Sequence, residues 1–260
     1  MADEKPEVIS VIDSVEGKNL KIEIIQYNKM LGSDSTSTST ELFYRESTGL
    51  KLKQVRIFLN NGQVMTEAGA LHFMKGNITI ENKSGGIGGL ASKMVSSMLT
   101  RETAFKPIYS GKGEIYLEPT FGHYLLLGLD NEEIIVDKGM FHCCETSIEV
   151  SAAMQKNISS GLAGGEGWFQ TKLKGSGLCI LTSPVPESEL IKYTLNNEKL
   201  QVDGNFALIR MGNIEFSVEK STKSLFGTLT SGEGLLQTFK GTGEVWLAPT
   251  LAAYKRVGQV

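Results

Sequence analysis

Residues 111–120, GKGEIYLEPT, return as GSGLCILTSP at 175–184 and again as GTGEVWLAPT at 241–250. Each copy opens on Gly-x-Gly, where a backbone without Cβ can turn or approach another backbone closely. Each then runs into an apolar segment: Ile115-Tyr116-Leu117, Cys179-Ile180-Leu181 and Val245-Trp246-Leu247. Pro119, Pro184 and Pro249, which have no amide hydrogen to offer a ladder, end the three runs. The correspondence extends upstream. Leu59-Asn60-Asn61, Leu129-Asp130-Asn131 and Leu195-Asn196-Asn197 each lie between two apolar stretches, the pattern of an Asn-rich turn joining two strands, so three hairpins are expected. An acid follows in register at Glu67, Asp137 and Asp203. After it come Ile78 and Ile80, Ile148 and Val150, or Ile214 and Phe216, whose alternation reads as a half-buried strand.

The spacing tests whether the similarity is a repeat. From the first copy to the second the offset is 70 residues at the Asn pair and 64 at Gly-x-Gly; from the second to the third it is 66 at both. The difference localises a six-residue insertion in the first copy. Periods of this size, rich in strand signals and poor in helix signals, predict tandem β modules that cover one another's apolar faces. The expected units are 50–119, 121–184 and 190–249, with further strands in 1–49 and a tail at 250–260. The expected fold is all-β, with pseudo-threefold character and one short amphipathic helix. Residues 32–40, GSDSTSTST, hold too few apolar groups to pack and are expected to form a surface loop.

Composition agrees with that architecture. The chain has 260 residues, 40% hydrophobic and 21% charged, enough for a substantial core without disulfide staples. Its 29 glycines against 6 prolines point to many turns and close backbone contacts. Lys and Arg number 26 against 29 Asp and Glu, a formal charge of −3, which argues against a protein built mainly to neutralise phosphates. The opening MADEKPEV carries neither a basic segment nor a following apolar stretch, so no secretory signal and a cytoplasmic location are expected. The apolar run YLLLGL at 124–129 is far short of the roughly 20 residues that span a bilayer. Three cysteines, two of them adjacent, imply no disulfide framework.

Several ordered motifs carry a resemblance: VMTEAGALHFMKGNITIE, GGIGGL, GEGWFQT, GEGLLQTF and GTGEVWLAPT. Together they resemble the altered-inheritance-of-mitochondria (mitochondrial biogenesis) family over roughly residues 40–250. The resemblance implies a fold similar to the tryptophan RNA-binding attenuation protein (TRAP-like): short double-stranded β-helix modules, repeated and prone to assemble. It implies no reaction, and its mitochondrial members bring in a membrane-linked scaffold.

The insertion falls within 85–101, GGIGGLASKMVSSMLTR. Leu90, Ala91, Met94, Val95, Met98 and Leu99 share one face of a short helix, with Ser92, Lys93, Ser96, Ser97 and Arg101 opposite. Lys83, Lys93, Arg101, Lys106 and Lys112 against Glu102 give the region a net +4, suited to an anionic surface or partner. Leu90, Lys93, Met94, Val95, Met98, Leu99 and Arg101 are therefore the candidate interaction residues. The same stretch satisfies G-x-G-x-x-A at 86–91, but no strand–helix–strand crossover follows to hold a dinucleotide, and no Gly-Lys-Ser/Thr completes a phosphate loop.

Other chemistry is weighed against the repeat. His142 and Cys144 would share a strand face, as metal ligands must, yet Cys143 aligns with Phe73 and Ile209, and Cys179 with Ile115 and Val245. Thiols at positions that other copies fill with hydrophobes read as core. His142 aligns with His72 and Leu208. Glu102, Glu166 and Glu233 recur in every copy, which favours turn capping or ion pairing over a catalytic pair that is needed once. No Lys/Arg set with stacking aromatics recurs, as RNA recognition would need. No catalytic residues, cofactor or metal are expected. The leading expectation is a non-enzymatic, oligomeric scaffold or partner-binding protein with the insertion as its contact element. A peripheral membrane organiser binding anionic lipid is the alternative, and an RNA or small-ligand binder a further one.

Overall fold

A computed structural model of the chain describes residues 8–82, 106–154, 169–220 and 235–257. An N-terminal hairpin, β1 (Ile9–Glu16) and β2 (Leu20–Tyr27), precedes helix α1 (Thr36–Ser47). The first third holds β3 (Lys53–Thr66), β4 (Leu71–Asn82) and β5 (Pro107–Leu117). The middle third holds β6 (His123–Val136), β7 (Phe141–Glu145), β8 (Ile148–Met154) and β9 (Phe169–Ser183). After a 3-10 turn at Glu187–Glu189, the last third holds β10 (Ile191–Asp203), β11 (Ala207–Lys220) and β12 (Leu235–Leu247), and helix α2 (Leu251–Val257) follows. All strand pairs are antiparallel, and the architecture is all-β with short helices.

The strand pairing is the same in each third: the last strand lies between the other two. β5 pairs with β3 and β4, β9 with β6 and with β7 and β8, and β12 with β10 and β11. Each last strand carries the Gly-x-Gly, crowded by the neighbouring strand's backbone at every one of these glycines but Gly177, where Ser147 and Glu145 side chains fill the space. A Cβ on Gly111, Gly241 or Gly243 would stand 2.1 Å from a carbonyl oxygen of the neighbouring strand. Side chains alternate across the strands, and the inward ones form the core. Ile57, Ile115, Ile134, Leu173 and Ile180 are wholly buried, each contributing about 2 kcal/mol by leaving water.

The Asn-rich segments are not hairpin turns. Leu59-Asn60-Asn61 lies inside β3, and its counterparts lie inside β6 and β10. Asn61, Asn131 and Asn197 have φ of 55°, 54° and 56°, and the register slips at these places, between Asn60 and Gly62, Leu129 and Glu132, and Asn196 and Glu198. The sequence signal was of a residue tolerant of left-handed backbone, and a β-bulge uses that tolerance as well as a turn does. The expected surface loop at 32–40 is also corrected: from Thr36 it is helical. Ser35 accepts a hydrogen bond from the Thr38 amide at 3.1 Å, and Thr40 donates back to the Thr36 carbonyl at 2.8 Å. Hydroxyls that compete with a helix in its interior start one at its cap. Arg45 lies 4.4 Å from the Phe121 ring centre, docking α1 beside the linker after β5. The tail carries α2, where Leu251 is buried and Tyr254 donates to Glu189 at 2.9 Å.

Candidate functional site

The candidate interaction residues read from the sequence, Leu90, Lys93, Met94, Val95, Met98, Leu99 and Arg101, lie outside the described residues, as does the expected amphipathic helix. Of the cations flanking them, Lys106 is within the structure and is already engaged. It is buried, pairs with Glu67 at 2.5 Å and sits 4.6 Å from the Phe141 ring centre. Lys112 stands exposed on β5.

Among the described residues, the thirds meet through two joints of the same construction. At the first, Val64, Met65 and Thr66 of β3 pair with Glu145, Cys144 and Cys143 of β7. At the second, Ile134, Ile135 and Val136 of β6 pair with Met211, Arg210 and Ile209 of β11. The positions correspond one for one across the repeat offset. A backbone hydrogen bond of 2.8 Å closes each joint, from the Glu67 amide to the His142 carbonyl and from the Asp137 amide to the Leu208 carbonyl. The core is shared across them: Cys143 and Ile180 pack with the first third, while Met65, Ile108, Leu208, Ile209 and Trp246 pack with the middle third.

The residues with chemical potential sit in or beside these joints. Cys143, Cys144 and Cys179 are fully buried and form no disulfide. Burial pushes the Cys143 thiol well up and the Cys179 thiol up to about 12, so both stay protonated and non-nucleophilic at neutral pH. His142 is 8% exposed, and burial pulls its imidazole down to about 4. Its Nε2 is sealed from solvent without a hydrogen-bond partner, and its ring lies 5.2 Å from Tyr124. The corresponding pair in the first third is Gln54 with His72, joined at 3.0 Å, and in the last third the two positions are Leu190 and Leu208. A pair that becomes two leucines elsewhere is a packing position. In the second joint Arg210 donates to Gln170 at 2.5 Å, and burial pulls the guanidinium down to about 10. Among the described residues, no group of three or more His, Cys, Asp or Glu could hold a metal ion.

One cleft of about 670 Å³ opens between the linker after β5, the turn after β6 and α2, with His123, Asp137, Lys138, His142, Asn205 and Lys255 on its walls. Burial raises the Asp137 carboxyl, against its hydrogen bond from the Lys138 amide and the charge of Lys255. Ser183, on the same wall, spends its hydroxyl on the Val185 carbonyl at 2.6 Å. The cleft offers polar contacts without an activated nucleophile. Among the described residues, no helix is long and apolar enough to cross a membrane.

Comparison with known proteins agrees with this geometry. An uncharacterized protein of Streptococcus pyogenes serotype M6 is 24% identical over 234 residues, covering 86% of this chain and 91% of that protein. A crystal structure of a Streptococcus pyogenes protein superposes with a TM-score of 0.55 at 21% identity, over 79% of this chain and 94% of that one, a likeness of fold alone. The family described as mitochondrial biogenesis AIM24 matches residues 44–250, a span that takes in all three strand units and both joints. The chain therefore belongs to the mitochondrial biogenesis AIM24 family.

Proposed function

We propose that this chain is a cytoplasmic, non-enzymatic protein that works by assembly, as an oligomeric scaffold or partner-binding element. The observation that carries the reading is the placement of its chemically capable side chains. Cys143 and Cys144 are buried in the first joint and Cys179 beside it, the Cys143 and Cys179 thiols are held protonated, and His142, on the cleft wall, is buried and uncharged at neutral pH with its Nε2 sealed from solvent. Three copies of one sheet-forming unit, held edge to edge, make a framework with repeated surfaces. Leu90, Lys93, Met94, Val95, Met98, Leu99 and Arg101 are its contact element, on the strength of their amphipathic spacing and cationic surroundings.

Native mass measurement of the wild type and of a deletion of residues 86–99, beside flotation with anionic liposomes, tests the proposal. The expected result is association with other copies or a protein partner, weakened by the deletion, with no flotation of the wild type. Association unchanged by the deletion would refute the contact element. Flotation that Val95→Asp abolishes would replace the scaffold by the lipid-binding alternative.

A further inference from the structure

Two joints among three like units leave two surfaces over. The first third uses its β3 edge and the middle third its β7 edge; the middle third uses its β6 edge and the last third its β11 edge. The surfaces not used are the outer edge of β4 and the outer edge of β10. Among the described residues, β4 pairs only with β5, and β10 only with β12. The residues there are those the internal joints bury. Met74 is 38% exposed, while Cys144 and Arg210, at the same position in the other copies, are 0% and 5% exposed. Phe73 is 47% exposed, against 0% for Cys143 and 2% for Ile209. On β10, Leu200 is half-buried and Gln201 exposed, where Val64 and Met65, at the same positions of the first joint, are 0% and 6% exposed. An open strand edge bearing apolar side chains recruits another strand.

We infer that the β10 edge of one copy pairs with the β4 edge of a second copy of this chain, head to tail, in the register of the internal joints. That register sets Leu200 opposite Lys75, Gln201 opposite Met74 and Val202 opposite Phe73, and points the Asp203 amide at the His72 carbonyl. The two edges differ, so the contact is heterologous; it builds a ring where the rotation closes and a filament where it does not. The inference rests on the assembly reading and names the partner and the surface.

Cysteine cross-linking tests it on the full chain, because Met74 and Gln201 are exposed and the native thiols are buried. Met74→Cys and Gln201→Cys, made in separate proteins, are expected to give a covalent dimer under mild oxidation only when mixed. Met74→Glu is expected to weaken association about tenfold, equivalent to about 1.4 kcal/mol, with an unchanged circular dichroism spectrum. Dimers from either single variant alone would mean a symmetric contact and overturn the inference. A double variant that cross-links within one chain would mean closure onto itself, and would overturn it too. An oligomer whose mixture gives no cross-link sinks this joint and leaves the assembly reading standing. A wild type that stays a single chain at every concentration sinks self-assembly altogether.

Discussion

The first and last thirds carry an unbroken second strand, and the middle third does not. β4 and β11 run through Gly76 and Gly212, whose φ values are 114° and 84°. At the same position the middle third has Thr146, and its strand stops at Glu145 and resumes at Ile148. Threonine in place of glycine, at a position that faces a glycine of the central strand, makes the difference. Gly113 and Gly243 of the central strands lie directly opposite Gly76 and Gly212. A Cβ on Gly76 would stand 2.6 Å from the Lys112 carbonyl oxygen. Threonine cannot take that conformation cheaply, so the backbone turns out, and the Glu145 carboxylate accepts the Leu178 amide at 2.8 Å across the gap. One side chain thus decides whether a strand is continuous while the pairing of the whole unit is kept.

That contrast can be challenged in four ways. The harshest is to add a side chain where all three copies forbid one. Gly241→Ala puts a Cβ 2.1 Å from the Asn213 carbonyl oxygen at a φ of 139°, whereas Gly139, with a φ of 79°, has open space around it. Denaturant unfolding should show a loss of about 4 kcal/mol or more at Gly241 and about 1 kcal/mol at Gly139. Equal losses would mean that crowding by the neighbouring strand is irrelevant.

Next in size is the buried histidine of the middle copy. His142 titrates near 4 in the folded chain and near 6.5 when unfolded. Between those values the unfolded chain binds more protons, so the stability tied to a neutral His142 is complete above pH 6.5 and lost as pH falls toward 4. The total is about 3 kcal/mol. His142→Leu, which imports the residue of the last third, should flatten that part of the stability–pH curve. An unchanged slope would place the acid sensitivity elsewhere.

A smaller effect separates the bulges from ordinary strand positions. Asn197→Ala should cost about 1–2 kcal/mol, since alanine resists a φ of 56°, while Asn197→Gly should be near neutral. The reverse order would deny the left-handed bulge. The mildest change is Thr146→Gly, expected to move stability by only about 0.5 kcal/mol, because the middle copy already satisfies its backbone at the break. A loss above about 2 kcal/mol would show Thr146 to be a packing residue.

What the sequence disclosed follows from where its constraints are local. The first glycine of Gly-x-Gly is forced by backbone crowding in every copy, so the motif's repetition exposed the unit and its spacing. The Asn pairs were equally visible, but a turn and a bulge ask the same tolerance of positive φ, and only long-range pairing separates them. Helix α1 was hidden because Ser and Thr are weak helix formers, and its start depends on one cap, Ser35. The joints were hidden for a different reason. Cys144 and Met74 are comparable apolar residues in sequence, and only the neighbour across the strand edge makes one buried and the other exposed.

Amide hydrogen exchange on the intact chain tests the central claim, that each third is the same unit with its last strand in the middle. The account predicts that amides of β9 and β12 exchange more slowly than those of the strands flanking them, and amides of β5 more slowly than those of β4, because β5, β9 and β12 are paired on both sides along most of their length, while β3, covered by β2 and β7 as well as β5, shares that protection. Exchange of β4, β8 or β10 slower than that of the last strand of the same third would contradict it.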